Sequence, residues 1–291
     1  DFKNKNILIN SHSDLNLTAG DTIMIKNLLY YYSNNNNNVT LLTHIPFNDD
    51  ELNNINNLNI IVNTDISKYI EENHNNYDLI FIRNHNILDK LIGKDYLSKT
   101  ILYGLDVHVK SISKMNNQFK LVYTQSEKLK QLYIDNNIQE DKIELMPVGI
   151  MKYKFDIPER TDNEIRMIYC GTLRDEENIL EIIEEFQKIH KERPEVVLKI
   201  VYGKINGDAS FTKKVNEYIK NGVNGITFKH NLSHKDACYE IATSDIGICW
   251  RKNGWGDNGE VSTKIKEYEM YGVCICNILK DLKIYSNTSS F

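Results

Sequence analysis

The chain has no apolar run near the roughly 18 residues that a membrane-spanning helix requires, and its mean hydropathy of -0.46 agrees. A basic excess is missing too. Lys and Arg number 35 against 40 Asp and Glu, a formal net charge of -5, so there is no broad cationic face of the kind that displaces counterions from a nucleic acid. The opening Asp1-Phe2-Lys3 begins no charged-then-apolar leader; secretion is unsupported and the cytoplasm is the expected compartment. The five cysteines, Cys170, Cys238, Cys249, Cys274 and Cys276, are odd in number, lack a CxxC pair and lie in apolar stretches. They read as buried thiols in a reducing compartment. No His/Cys set shows familiar ligand spacing, so no metal is expected. With four prolines in 291 residues, each interruption of a regular pattern carries information.

What is present is a long alternation of short apolar runs and amphipathic stretches. The length suits two domains of about 150 residues each. Strand patterns at Ile7 to Asn10, Val39 to Thr43, Leu58 to Val62, Leu79 to Arg83, Thr100 to Tyr103 and Leu121 to Thr124 alternate with helical ones, beginning with Thr22 to Tyr32 and ending with Ser126 to Asn136. Such alternation predicts a parallel sheet. The run Asn34 to Asn38 reads as compositional bias in a loop. After a strand at Ile143 to Met146, Pro147-Val148-Gly149 breaks the pattern and the chain stays polar to Pro158, which places a joint between domains 1–150 and 151–291. The cycle then restarts. Strands are expected at Arg166 to Cys170, Val197 to Tyr202, Ile226 to Phe228, Ile246 to Trp250 and Val273 to Asn277; helices are expected at Asn178 to His190, Phe211 to Asn221, His234 to Thr243 and Val261 to Tyr271. The fold class predicted is α/β, two Rossmann-like halves with parallel sheets facing across a cleft. Open sheets of this kind bind ligands beyond the carboxyl ends of their strands.

The most informative segment runs from Arg251 to Gly272. A glycine-containing loop there leads into a helix, whose unpaired N–H groups and positive dipole end suit a diphosphate. Ser262 or Thr263 is placed to cap that helix and donate to a phosphate oxygen, and Lys264 to add positive charge. Glu267 follows one turn after Thr263, where a carboxylate accepts both hydroxyls of a ribose. The pattern Thr263-Lys264-x-x-Glu267-Tyr268, closed by Gly272, resembles the donor-binding signature of GT4-like glycosyltransferases, whose architecture is called GT-B. In that family an acidic residue eight positions before the ribose-binding Glu holds the donor sugar. Here that place is Gly259, so the resemblance transfers the role to the adjacent Glu260, with Asp257 as the alternative.

A second resemblance lies in Ile168-Tyr-Cys-Gly-Thr-Leu-Arg174 and the helix that follows, similar to the strand, glycine turn and helix opening the family's second domain. Gly171 lets a donor approach the backbone. The family's usual Arg after this glycine and Lys before the helix are replaced by Thr172 and Glu177. Arg174 and Arg251, at strand ends, are the substitutes expected to neutralise a departing diphosphate. In the first half, Gly20 resembles the family's flexible glycine loop. Asp106 and His108, just past a strand, are positioned for the acceptor side, with His108 also a candidate catalytic group. Family members continue after the last strand with helices, one returning to the first domain, whereas this sequence ends at Phe291.

The resemblance implies transfer of a sugar from a UDP- or GDP-linked donor to a glycan, lipid-linked or protein hydroxyl. It implies retained anomeric configuration, with no metal and no cofactor beyond the nucleotide sugar. Two other readings stay open at this point: a sugar-nucleotide epimerase or hydrolase, and a non-catalytic nucleotide-sugar binding module.

Overall fold

The computed structural model describes residues 2–16, 20–46, 50–53, 55–103, 108–146, 149, 152–252 and 262–277. The chain divides into two compact units, one Asp1–Met151 with Gly256–Ser262, the other Lys152–Trp255 with Thr263–Phe291.

In the first unit seven strands, β1 (Asn6–Asn10), β2 (Asn38–Thr43), β3 (Leu58–Val62), β4 (Leu79–Ile82), β5 (Thr100–Tyr103), β6 (Leu121–Thr124) and β7 (Ile143–Leu145), form one sheet in the order β3-β2-β1-β4-β5-β6-β7. All of its pairings are parallel. The helices α1 (Gly20–Asn34), α2 (Asp50–Asn53), α3 (Ile66–Asn73), α4 (Leu88–Leu91), α5 (Val109–Ser113) and α6 (Glu127–Asp135) connect them. Successive side chains of a strand point to opposite faces. Ile7, Ile9 and Phe81 accordingly join one buried cluster with α1, while Leu8, Ile80 and Ile82 join the other. Burial on both faces explains why β4 reads as an unbroken apolar run. Helix starts follow local chemistry: Ser126 accepts from Leu129 N at 3.2 Å and Asp65 from Lys68 N at 3.1 Å.

The second unit repeats the scheme with β8 (Ile165–Cys170), β10 (Val196–Tyr202), β12 (Ile226–His230), β13 (Ile246–Ile248) and β14 (Cys274–Cys276), ordered β12-β10-β8-β13-β14. Here too every pairing is parallel. A two-residue ladder of β9 (Leu173–Arg174) with β11 (Ile205–Asn206) stands apart. The helices are α7 (Ile179–Glu192), α8 (Ala209–Asn221), α9 (His234–Ala242) and α10 (Thr263–Tyr271). Gly247 lies in β13 because the Tyr268 ring occupies the place of a side chain; a Cβ there would stand 2.4 Å from the ring. Tyr268 in turn is fully buried and accepts from Cys170 N–H at 3.2 Å, fixing α10 to β8.

Among the described residues every non-glycine position of positive φ is an asparagine: Asn4, Asn36, Asn57, Asn116, Asn117, Asn137, Asn178 and Asn231. Asparagine tolerates the left-handed region better than most residues, since its short amide bonds locally. Among the described residues no helix is long and apolar enough to cross a membrane. The expectation of uniformly buried thiols fails at one place, because Cys274 on β14 is exposed.

Candidate functional site

In each sheet the order of strands reverses once, and the ends of the strands on either side of that reversal are where an open parallel sheet leaves a crevice. In the second unit the reversal falls between β8 and β13. Gly171 follows β8, Arg251 follows β13 by three residues, and Lys264 lies in the first turn of α10. The three are drawn together by Glu177, just ahead of α7. Its carboxylate meets Lys264 Nζ at 2.9 Å and an Arg251 guanidinium nitrogen at 3.3 Å. Glu177 is 4% exposed and Lys264 7%. The Lys264 ammonium also donates to the Tyr169 hydroxyl at 3.3 Å, and that hydroxyl donates to Thr172 O at 2.6 Å. Burial and the nearby Glu177 carboxylate push the Tyr169 phenol well above its ordinary value, so it stays a neutral donor.

Gly171 has φ +156, and a Cβ there would fall 2.9 Å from Lys264 Nζ. The glycine therefore leaves the room in which the ammonium sits. Lys252, next to Arg251, is held at 2.6 Å from Asp175, and its N–H donates to Glu176 O at 2.9 Å. The loop after β13 is thus tied to the acidic turn before α7. Glu177, noted in the sequence as an acid where the family has a lysine, is the centre of a buried charge cluster. Truncating one member of such a cluster leaves an uncompensated charge and is strongly destabilising.

Thr263 opens α10, with Ser262 buried directly before it. Glu267 is 5% exposed and its Oε1 stands 3.0 Å from His234 Nε2. Glu267 Oε1 therefore has a partner within the protein, a contact that the sequence did not reveal. Arg174 is not part of the charge cluster: it lies in β9 opposite Asn206 and makes no ion pair among the described residues. Glu260, with its alternative Asp257, and Gly259 lie outside the described residues.

In the first unit the reversal lies between β1 and β4. His12 follows β1, Arg83 and His85 follow β4, and His108 follows β5, just ahead of α5. His85 and His108 stack with centroids 4.6 Å apart and planes at 4°, while His12 meets His85 edge-on at 4.8 Å. His12 Nδ1 is 2.9 Å from Arg83 O, and the Arg83 guanidinium lies over the Tyr103 ring at 5.6 Å. Burial, with the adjacent His85, lowers the pKa of His108, so its imidazole is neutral near pH 7 and able to accept or donate one hydrogen. Sequence reading found His108 but missed His12 and His85; the signal available was that each follows a strand within three residues. Asp106 lies outside the described residues. Gly20 is the first residue of α1, not part of a loop as expected. Beside β5 and β6 a cavity of ≈ 500 Å³ is lined by Met24, Leu28, Tyr31, Tyr103, Tyr123 and Met146, among others. Burial pushes the Tyr123 phenol up to about 12.

One further cluster escaped the sequence reading. His234 and Cys238, one turn apart on α9, meet Glu267 of α10 in the interior, their ligating atoms all within 4.8 Å of one another. The pair's spacing of four residues on a helix was the available signal.

No known family profile matches the chain, and no curated protein matches it. Solved structures do. The Anabaena protein HepE, in complex with UDP-glucose, superposes with TM-score 0.66 at 14% identity, over 93% of this chain and 79% of that one. A glycosyltransferase from Rickettsia africae ESF-5 gives 0.62 at 18% identity over 94% and 79%. WaaG, a glycosyltransferase of lipopolysaccharide biosynthesis, gives 0.62 at 12% over 92% and 80%. The two parallel α/β units of this chain therefore have the GT-B fold, in common with these solved structures.

Proposed function

We propose that the chain is a glycosyltransferase that moves a sugar from a UDP- or GDP-linked donor to a hydroxyl acceptor, with the anomeric configuration retained. The observation carrying this reading is the convergence of Lys264, Arg251 and Gly171 on the strand-order reversal of the second sheet. Two cations and a glycine-bared backbone suit a diphosphate, and positive groups fixed in advance stabilise the charge that develops on it as the glycosidic bond breaks. No metal is needed for that step. Glu177 contacts both cations, so a donor's diphosphate competes with a carboxylate for them. Glu267 remains the proposed ribose contact, through one oxygen, and Glu260 the proposed contact to the sugar. His108, with Asp106, belongs to the acceptor side. The tyrosine-lined cavity of the first unit favours an acceptor with a ring or acyl part, a glycan or lipid-linked sugar, since aromatic faces pack against apolar C–H surfaces.

The test is a thermal-shift panel of UDP, GDP, ADP and dTDP sugars, followed by product analysis with glycan and lipid-linked acceptors. Transfer from one donor with the configuration kept supports the reading. Hydrolysis or epimerisation alone moves the chain to another reaction, and stabilisation without turnover makes it a binding module, which an acid at Glu177 would favour. A panel with no shift for any nucleotide sinks the donor site.

A further inference from the structure

We infer that His234, Cys238 and Glu267 form a binding site for one zinc ion inside the second unit. The proposal goes beyond the glycosyltransferase reading and does not depend on it.

The three side chains come from two neighbouring helices. Ser233 caps α9 by accepting from Asp236 N–H at 3.1 Å, which fixes His234 as the first helical residue, and Cys238 follows one turn later on the same face. Glu267 projects from the middle of α10. All three are buried, Cys238 completely. Nε2 of His234 lies 3.0 Å from Glu267 Oε1 and 3.4 Å from Cys238 Sγ. Zinc bonds of about 2.0–2.3 Å to nitrogen, oxygen and sulfur, set at tetrahedral angles, separate neighbouring ligand atoms by roughly 3.3–3.6 Å. The two distances from Nε2 are therefore within a few tenths of an ångström of those of a filled site, and the Cys238–Glu267 separation is no more than 4.8 Å.

Two hydrogen-bond contacts already hold the imidazole, one at each nitrogen. A cation between the three side chains would instead receive one lone pair from Nε2, one from the sulfur and one from the carboxylate.

The surroundings fit the same reading. Tyr153 Oη lies 3.3 Å from Nδ1, where it accepts the hydrogen that Nδ1 must carry when Nε2 is a ligand; such outer partners orient metal-bound histidines. The Tyr271 hydroxyl accepts from Tyr153 N–H at 3.1 Å, which ties Tyr153 to the end of α10. Imidazole, thiolate and carboxylate together suit zinc better than magnesium or calcium, which take oxygen ligands. On binding, the Cys238 thiol releases its proton to solvent, and the Nε2 and Oε1 lone pairs complete three bonds with a fourth position for water. An ion held there would join α9 to α10 and hold the Glu267 carboxylate that the donor reading directs to a ribose.

The experiment uses the whole chain, purified without added chelator and measured by elemental analysis. The expected content is about one zinc per chain. After removal of zinc, cobalt(II) should restore one equivalent with a thiolate-to-cobalt charge-transfer absorption. Cys238→Ser should abolish that absorption, and His234→Gln should lower the metal content at least fivefold. Should either variant fail to fold, a competition titration of the zinc-free wild type against a chromophoric chelator decides the matter. A wild-type chain that neither carries zinc nor takes up cobalt overturns the proposal, as does a Cys238→Ser variant with an unchanged cobalt spectrum. UDP binding, measured separately, stands or falls without altering either outcome.

Discussion

The reversal in the first sheet gathers imidazole rings, and the reversal in the second gathers formal charges. Both places arise from the same topology, the carboxyl ends of parallel strands on either side of one change of direction. His12, His85 and His108 meet through ring contacts and backbone carbonyls, with surfaces suited to hydroxyls and sugar rings. Glu177, Lys264 and Arg251 meet as ions in a setting with little water, the place proposed above for a diphosphate. Topology supplied the two crevices, and the side chains that follow the strands gave them different chemistry.

The strongest way to break this contrast is Lys264→Met. It removes the nearer cation from a buried carboxylate, so unfolding in urea should show a loss of about 3–4 kcal/mol, and calorimetric titration should show UDP binding weakened about a hundredfold. If His108→Ala instead weakens UDP more than Lys264→Met does, the two crevices have been assigned the wrong way round. The expected result for His108→Ala is a fall of about tenfold in kcat/KM for the acceptor with donor affinity unchanged, read by initial rates at varied acceptor.

Glu267→Gln sharpens the contrast within the second unit. With one oxygen on His234, the ribose contact is a single charged hydrogen bond, so UDP and its sugar conjugates should both weaken about fivefold, ~1 kcal/mol. A loss confined to the sugar-bearing ligand would move Glu267 away from the ribose.

The smallest effect belongs to pH. The unfolded imidazole titrates near about 6.5, and burial beside His85 holds folded His108 below that. The folded chain resists this protonation, so the contribution is complete above about pH 6.5 and is lost as pH falls through the lower folded value. Urea midpoints measured from pH 7.5 downward should decline in the wild type and decline less in His85→Ala. A midpoint unchanged by that substitution would show that His85 does not act on His108.

Strands with both faces covered were legible residue by residue, because unbroken apolar runs such as Leu79 to Ile82 admit few other structures. The close of α10 before Gly272, φ +71, was likewise written in glycine chemistry, whereas its start at Thr263 falls two residues after the expected Val261. The charge cluster was not legible. Glu177 lies 74 residues before Arg251 and 87 before Lys264 in the chain, and an acid in a basic position looked like a loss rather than an internal partner. Glu267 was found as a carboxylate on the right helix, but its neighbour His234, 33 residues earlier, depends on how α9 packs against α10. Gly20 was misread because a glycine marks loops in general, although it also serves at helix starts.

The asparagines at left-handed positions bear on a different quantity, the freedom of the unfolded chain. Glycine would adopt those turns without strain, but it leaves the unfolded chain with more conformations to lose. An asparagine at each of Asn36, Asn57, Asn137 and Asn231 restricts the denatured ensemble while its amide tolerates the bend. The composition that looks like idle bias along the sequence thus acts before folding begins. Asn137→Gly should leave stability nearly unchanged, relief of strain offsetting added disorder, and Asn137→Ala should lower it by about 1 kcal/mol.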